Sequence, residues 1–180
     1  MRYLALLRGI NAGGKNIVEM RDLRSCFDRL GLQNATTYIQ SGNVLFDCSV
    51  KSAGSLPALI EAAVAAEFHC ASAVVIVPQK QLARIVGHAP ASFGSDPDAY
   101  RYDVVFLRPP VRAQDLLPTI GLKPGVDEAF EANGVLYLKK LKARAGQSHF
   151  PRLVRSPAYQ GMIVRNWGTT TELNRLMNSP

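Results

Sequence analysis

The sequence predicts an α+β fold, and three observations carry that reading. Apolar residues alternate between strand-like and helical spacing in the order β-α-β-β-α-β across residues 2–77. Two dipeptides, Ser41-Gly42 and Asn133-Gly134, mark tight turns between strand-like runs. A Gly-, Pro-, Ser- and Asp-rich stretch, "GHAPASFGSDPDAYR", lies between, and beyond it the same order begins again. The order β-α-β-β-α-β is that of a ferredoxin-like lobe with an antiparallel sheet. The expectation is therefore one such lobe at 1–87, a linker at 88–101, and a second, less regular ferredoxin-like lobe at 102–180.

Each element follows from local chemistry. Arg2 to Leu7 is a short apolar run suited to a buried strand, stopped by Arg8. Met20, Leu23, Phe27 and Leu30 recur at helical spacing, and Gly31 is placed to end that helix. Thr36 to Gln40 and Asn43 to Cys48 are the two arms of a hairpin. Ser55 can cap a helix through Leu59, Ile60, Ala63, Val64 and Phe68, and the β-branched run Ala73 to Val77 closes the lobe. A short helix at Gln81 to Val86 leads into the linker. In the second half, Asp103 to Leu107 reads as a strand and Ala113 to Ile120 as a helix. Val126 to Ala132 then pairs with Val135 to Lys139 across Asn133-Gly134. A helix near Ser148 to Val154, a strand at Met162 to Val164 and a last helix capped by a Thr169/Glu172 box complete it.

Composition excludes several classes. The 180 residues are 47% hydrophobic and 19% charged, ordinary for a soluble globular chain. No apolar run is long enough for a signal peptide or a membrane span, so the expected location is the cytoplasm. Cys26, Cys48 and Cys70 are odd in number and lack a C-x-x-C pair, which points to buried thiols. His69, His88 and His149 are scattered, and no metal or other cofactor is expected.

The net charge of +7 is local. Between Ala132 and Thr171 there is no acidic residue, and the window holds Lys139, Lys140, Lys142, Arg144, Arg152, Arg155 and Arg165. Interleaved with Tyr137, Phe150 and Tyr159, these cations are one basis for a nucleic-acid partner. The bland alternative is a solvated basic face.

The stretch "GINAGGKN" starts like a phosphate-binding P-loop, but Asn16 stands where a Ser or Thr should hold magnesium. Val44 to Asp47 could pose as a Walker B strand, yet it reads as a hairpin arm, which no P-loop core contains. The glycines are explained by a tight strand-to-helix connection. The polar residues around them are not. In a β-α-β-β-α-β lobe the loop after the first strand and the hairpin turn share one sheet edge. Arg8, Asn11, Gly13, Gly14, Lys15, Asn16, Gln40, Ser41 and Asn43 would then converge beside a helix N-terminus, a natural place for an anion. The bland account makes Asn16 and Glu19 a capping box. A phosphate-bearing small molecule or a nucleic acid is the expected ligand. Ser41 is a turn residue more readily than a nucleophile, because no G-x-S-x-G surrounds it. An enzymatic alternative is a transferase or hydrolase acting on a phosphorylated metabolite, with Lys15 and Arg8 stabilising charge.

Three ordered motifs, "YLALLRGINAGGKN", "TYIQSGNVLF" and the late "VRNWGTTTEL", resemble those of the bacterial domain-of-unknown-function family 1697 over essentially the whole chain. The resemblance implies a cytoplasmic protein with ferredoxin-like lobes and no established reaction. It also singles out Arg165, Asn166 and Trp167 as further ligand-site candidates, although Trp167 before a helix is as readily a packing anchor. Ala12 replaces the family's usual Val. His149 follows Ser148 where the family often has Lys, which puts a contact from that position in doubt here.

Overall fold

In the computed structural model, residues 1–11, 16–49 and 53–179 are described. The chain divides into two compact units, Met1–Leu82 with the terminal Arg175–Pro180, and Ala83–Asn174.

The first unit holds strands β1 (Arg2–Arg8), β2 (Gln33–Tyr38), β3 (Asn43–Asp47) and β4 (Ala73–Pro78), with helices α1 (Met20–Arg29) and α2 (Leu56–Phe68). Its sheet has the order β2-β3-β1-β4, and every neighbouring pair is antiparallel. The antiparallel pairing of β2 with β3 rules out the parallel core a P-loop requires. The alternating residues Tyr3, Ala5 and Leu7 of β1 and Val44 and Phe46 of β3 pack with Leu23, Phe27, Ile60 and Val64 of the two helices. Leu4, Leu6 and Leu45 on the other face are buried as well.

The end of α1 shows how local sequence sets the fold. Gly31 takes φ 74°, and its N–H donates to the Asp28 carbonyl at 3.0 Å. The Leu32 N–H reaches back to the Phe27 carbonyl at 3.1 Å. This is a Schellman closure, and Leu32 and Phe27 are both buried in the same core cluster. The start of α1 corrects an expectation: its N-cap is Glu19, and the Asn16 side chain bonds the Gly9 carbonyl instead of joining a capping box.

Cys26, Cys48 and Cys70 are buried and form no disulfide with one another. Burial, with the Glu67 carboxylate close by, pushes the Cys26 thiol from 9.0 up to about 11. The neutral thiol is therefore favoured by folding. Its contribution is complete below pH 9.0 and is lost as pH rises through about 11. Urea midpoints measured from pH 8 to 11 should fall less steeply for Cys26→Ala than for the parent chain; parallel curves would refute the assignment.

The second unit contains β5 (Tyr100–Leu107), β6 (Asp127–Ala132), β7 (Val135–Leu141) and β8 (Met162–Asn166), with α4 (Ala113–Ile120) and α5 (Pro151–Arg155). Helix α3 (Gln79–Gly87) precedes β5 in the chain and α6 (Trp167–Met177) follows β8. The strand order β6-β7-β5-β8 repeats that of the first sheet position for position, again antiparallel throughout. Asn133 and Gly134 both adopt positive φ, 54° and 77°, the backbone of a two-residue hairpin turn. One face of the sheet packs Val105, Leu136, Leu138 and Met162 against Leu116, Ile120 and Leu153. From the segment 88–101, Phe93 packs edge-on against Tyr102, Tyr137 and Trp167 at centroid distances of 4.9, 5.2 and 5.1 Å.

Helix α6 starts three residues earlier than a Thr169/Glu172 box would place it. Asn166 caps it: its Oδ1 accepts the Thr169 N–H at 2.7 Å.

Candidate functional site

At the top of β1 the chain turns out of the sheet through Gly9, whose φ is 99° and whose missing Cβ lets the backbone pass the Ala71 carbonyl. The loop is then tied to itself by asparagine side chains. Asn11 donates to the Val18 carbonyl at 2.9 Å and accepts the Val18 N–H at 2.7 Å. The Asn11 N–H donates to the Asn16 carbonyl at 3.0 Å, and Asn16 Nδ2 donates to the Gly9 carbonyl at 2.7 Å. Both asparagines sit at φ 50°, a conformation their short polar side chains tolerate. These bonds tie residues 9–11 to residues 16–18.

The hairpin turn lies at the same edge. Leu7 N–H donates to the Gly42 carbonyl at 2.7 Å, and Leu6 pairs with Asn43 in register. Any Cβ on Gly42 would collide with the side chains of Leu7 and Ile10, so this glycine is required for the turn to meet the loop. Beside it, Ile39 holds φ 49° while remaining half-exposed. A β-branched residue in the left-handed region is a genuine strain.

The residues expected to form an anion site are thus partly gathered and partly redirected. Arg8, Asn11, Asn16, Gln40, Ser41 and Asn43 belong to this one edge. Gly13, Gly14 and Lys15 lie outside the described residues. Asn43 is fully buried, and its amide donates to the Tyr38 carbonyl at 3.0 Å and to Ser41 Oγ at 2.8 Å, so it builds the hairpin. Asn11 likewise builds the loop. Gln40 and Asn16 are exposed, and Arg8 and Ser41 are half-buried. Two exposed apolar residues that sequence reading passed over, Ile17 and Ile39, flank the same edge. No sequence signal marked their exposure: Ile17 precedes the buried Val18, and the nearby loop residue Ile10 is itself buried.

Arg165, Asn166 and Trp167 belong to the second unit. Burial pushes the Arg165 guanidinium down to about 10, and its Nη1 donates to the Val164 carbonyl at 2.9 Å. Asn166 is the α6 cap, and Trp167 is part of the aromatic cluster with Phe93 and Tyr137, its ring centroids 5.1 and 6.5 Å from theirs. Both therefore have structural work in this unit.

Several cations of the basic window are occupied. Lys139 pairs with Glu128 at 2.8 Å and lies 4.2 Å over the Tyr100 ring. Lys142 donates to the Pro97 carbonyl at 2.6 Å, and Arg144 to Gln147 Oε1 at 2.8 Å. Arg152 reaches the Ile120 carbonyl at 3.4 Å.

Among the described residues no group of three or more His, Cys, Asp or Glu is placed to hold a metal ion. No helix among them is long and apolar enough to cross a membrane.

Comparison with solved structures finds a conserved bacterial protein from Streptococcus pneumoniae, 24% identical, which superposes with a TM-score of 0.83 over 98% of both chains. At that identity the match speaks for the fold alone. No curated protein sequence matches this chain significantly. A family model described as a protein of unknown function, DUF1697, matches residues 1–137. That span is most of the chain and includes both the "GINAGGKN" loop and the "IQSGN" turn, so this protein belongs to the DUF1697 family.

Proposed function

We propose that the protein binds a small phosphate-bearing ligand at the edge formed by the β1–α1 loop and the β2–β3 turn. The observation that supports this reading best is the strain at Ile39. An exposed β-branched residue held in the left-handed region costs on the order of 1–3 kcal/mol and persists where surrounding structure over-determines it, most often at ligand sites. Close to it, the side chains of Asn11 and Asn16 tie residues 9–11 to residues 16–18. Arg8 and Lys15 supply the charge for an anion, and the start of α1 supplies a favourable dipole. The exposed Ile17 and Ile39 suit the flat apolar face of a base or a similar group.

A small ligand is preferred to a nucleic-acid strand because the strained Ile39 lies at the first-unit edge, while in the basic window Lys139 is already paired with Glu128. The repeated element order and strand order support a ferredoxin-like reading of each unit, with the ligand edge at the end of the first sheet. The expected location remains the cytoplasm.

The test is a thermal-shift screen of nucleotides, sugar phosphates and short RNA. A ligand present at about a hundred times its Kd stabilises the native state by about 2.7 kcal/mol. For a hit, Lys15→Ala and Arg8→Ala should each weaken binding by about tenfold or more, the loss of a charge-assisted contact. Neutralising Lys139, Lys142 and Arg144 together should leave affinity within about twofold, with a shallow salt dependence. A steep salt slope that those three neutralisations flatten would transfer the function to nucleic acid. Failure of every phosphate-bearing compound to shift the melting temperature would remove the reading.

A further inference from the structure

The second unit carries a groove apart from the loop and turn of the first. It has a volume of about 270 Å³ and lies between α5 and the helix-bearing face of the sheet. Register orders its lining. Lys140 and Leu138 share one face of β7, Leu138 pairs with Asp103 of β5, and Val105 further along β5 pairs with Val164 of β8. Leu107 then pairs with Met162. Successive rows on one face are about 7 Å apart, so the lining runs from a charged row at Lys140 to apolar rows at Val164 and Met162. Phe150 and Leu153 form the wall.

The mouth of this groove is apolar. Val154 and Val164, 55% and 38% exposed, are the most exposed large apolar side chains among the described residues of the unit, and both line it. Apolar surface left open around a concavity marks a place where an apolar group is taken up.

Its charge is unmatched. Arg101 and Asp103 are spent on each other, Nε to Oδ2 at 2.7 Å, and act as a neutral pair. Lys140 stands opposite Arg101, half-buried, and its ammonium has no ion pair or hydrogen bond among the described residues, in contrast to Lys139 with its Glu128. Its neighbour on the other side, Asp127 of β6, is 5% exposed and accepts the N–H groups of Lys123 and His149 on Oδ2. The stretch from 133 to 170, which supplies most of the lining, contains no acidic residue at all.

An apolar hollow with one free cation at its end matches an apolar tail with one anionic head. We propose that this groove binds a free monocarboxylate with an apolar tail, of the medium-chain fatty acid or arylalkanoate type. The carboxylate pairs with Lys140 Nζ, and the tail lies over Leu138 toward Val164 and Met162, closed in by Leu153 and Val154. The volume equals that of about nine water molecules at ~30 Å³ each, which sets the ligand at roughly ten non-hydrogen atoms. A phosphate monoester suits the groove less, since its second charge would find no further free cation and would face Asp103. This site is therefore independent of the loop edge in the first unit.

Isothermal titration of the full chain with octanoate and 3-phenylpropanoate tests the assignment, with octanamide and 3-phenylpropylamine as the neutral and cationic counterparts. At least one carboxylate should saturate with a Kd on the order of 1 mM or tighter, and its counterpart should bind about tenfold more weakly or worse. Lys140→Gln should weaken the carboxylate by about fivefold or more. Lys142→Gln removes the same charge from a side chain that does not line the groove, and should stay within about twofold. Val154→Asp, which puts an anion at the exposed mouth, should weaken binding by about tenfold or more. Both Lys140 and Val154 reach the surface, so the urea midpoints of their variants should stay close to the parent's. Absence of saturable binding by either carboxylate overturns the proposal, as does octanamide binding as tightly as octanoate. Equal losses in Lys140→Gln and Lys142→Gln would also overturn it, as would a sedimenting dimer that Val154→Asp splits, which would give the mouth to a second copy of the chain.

Discussion

Phe27→Ala should lower the free energy of unfolding by about 3–5 kcal/mol, the cost of deleting a fully buried aromatic ring that its surroundings cannot replace. Phe27 is 0% exposed and meets Phe46 edge-to-face with ring centroids 5.5 Å apart. Phe46 in turn stacks on Tyr3 at 5.7 Å, so the ring of α1 is the first link of a chain that ends in the central strand β1. The variant keeps the Phe27 carbonyl that receives the Leu32 N–H, and the Schellman closure should survive. The loss therefore reports packing and not the helix end. Urea titration should show a lower midpoint with an unchanged slope. Phe130→Ala on β6, where the ring is 37% exposed, serves as the control and should cost less than about 1 kcal/mol. Equal costs for the two variants would mean that α1 is not what the sheet is packed upon.

Phe27 also illustrates what was legible beforehand. Its spacing from Met20, Leu23 and Leu30 marks a helical face, because one stripe of a helix must be apolar to reach a core. Gly31 and Asn133-Gly134 were legible for a related reason: a left-handed backbone admits few residue types, so the residue reveals the conformation. Polar residues gave weaker guidance. Asn43 resembles a ligand donor in sequence, yet it is buried inside the hairpin and its amide replaces missing backbone bonds. Asn166 likewise serves as a helix cap in place of the expected Thr169/Glu172 box. An amide can satisfy either the chain or a ligand, and periodicity does not tell the two apart. The cavity was illegible for a different reason. Its charged end joins Arg101 and Asp103 to Lys140, and its wall comes from residues after 149, groups related only by strand register. Ile39 stood in a recognisable motif, but its strain is a property of the backbone and has no residue signature.

Trp167 brings both kinds of evidence together. As a motif residue it is a candidate for ligand contact, while its surroundings give it a packing role that a substitution elsewhere can test. Gly94, at φ 86°, faces the indole so closely that a Cβ there would overlap Trp167 Nε1 and Cδ1. Gly94→Ala must therefore strain the backbone and displace a rigid ring. Strain from the positive φ and overpacking of the Phe93–Tyr137–Trp167 cluster should together cost about 2–4 kcal/mol. Trp167 is the chain's single tryptophan, so its emission reports this site without interference. The expected result is a red-shifted, more quenchable spectrum in Gly94→Ala along with the lower urea midpoint. Gly87→Ala, which meets nothing within 4 Å at the end of α3, should keep the parent spectrum and stability. An unchanged spectrum in Gly94→Ala, with a loss below about 1 kcal/mol, would show that the indole is not lodged against this glycine. Trp167 would then return to the set of residues free to meet a ligand.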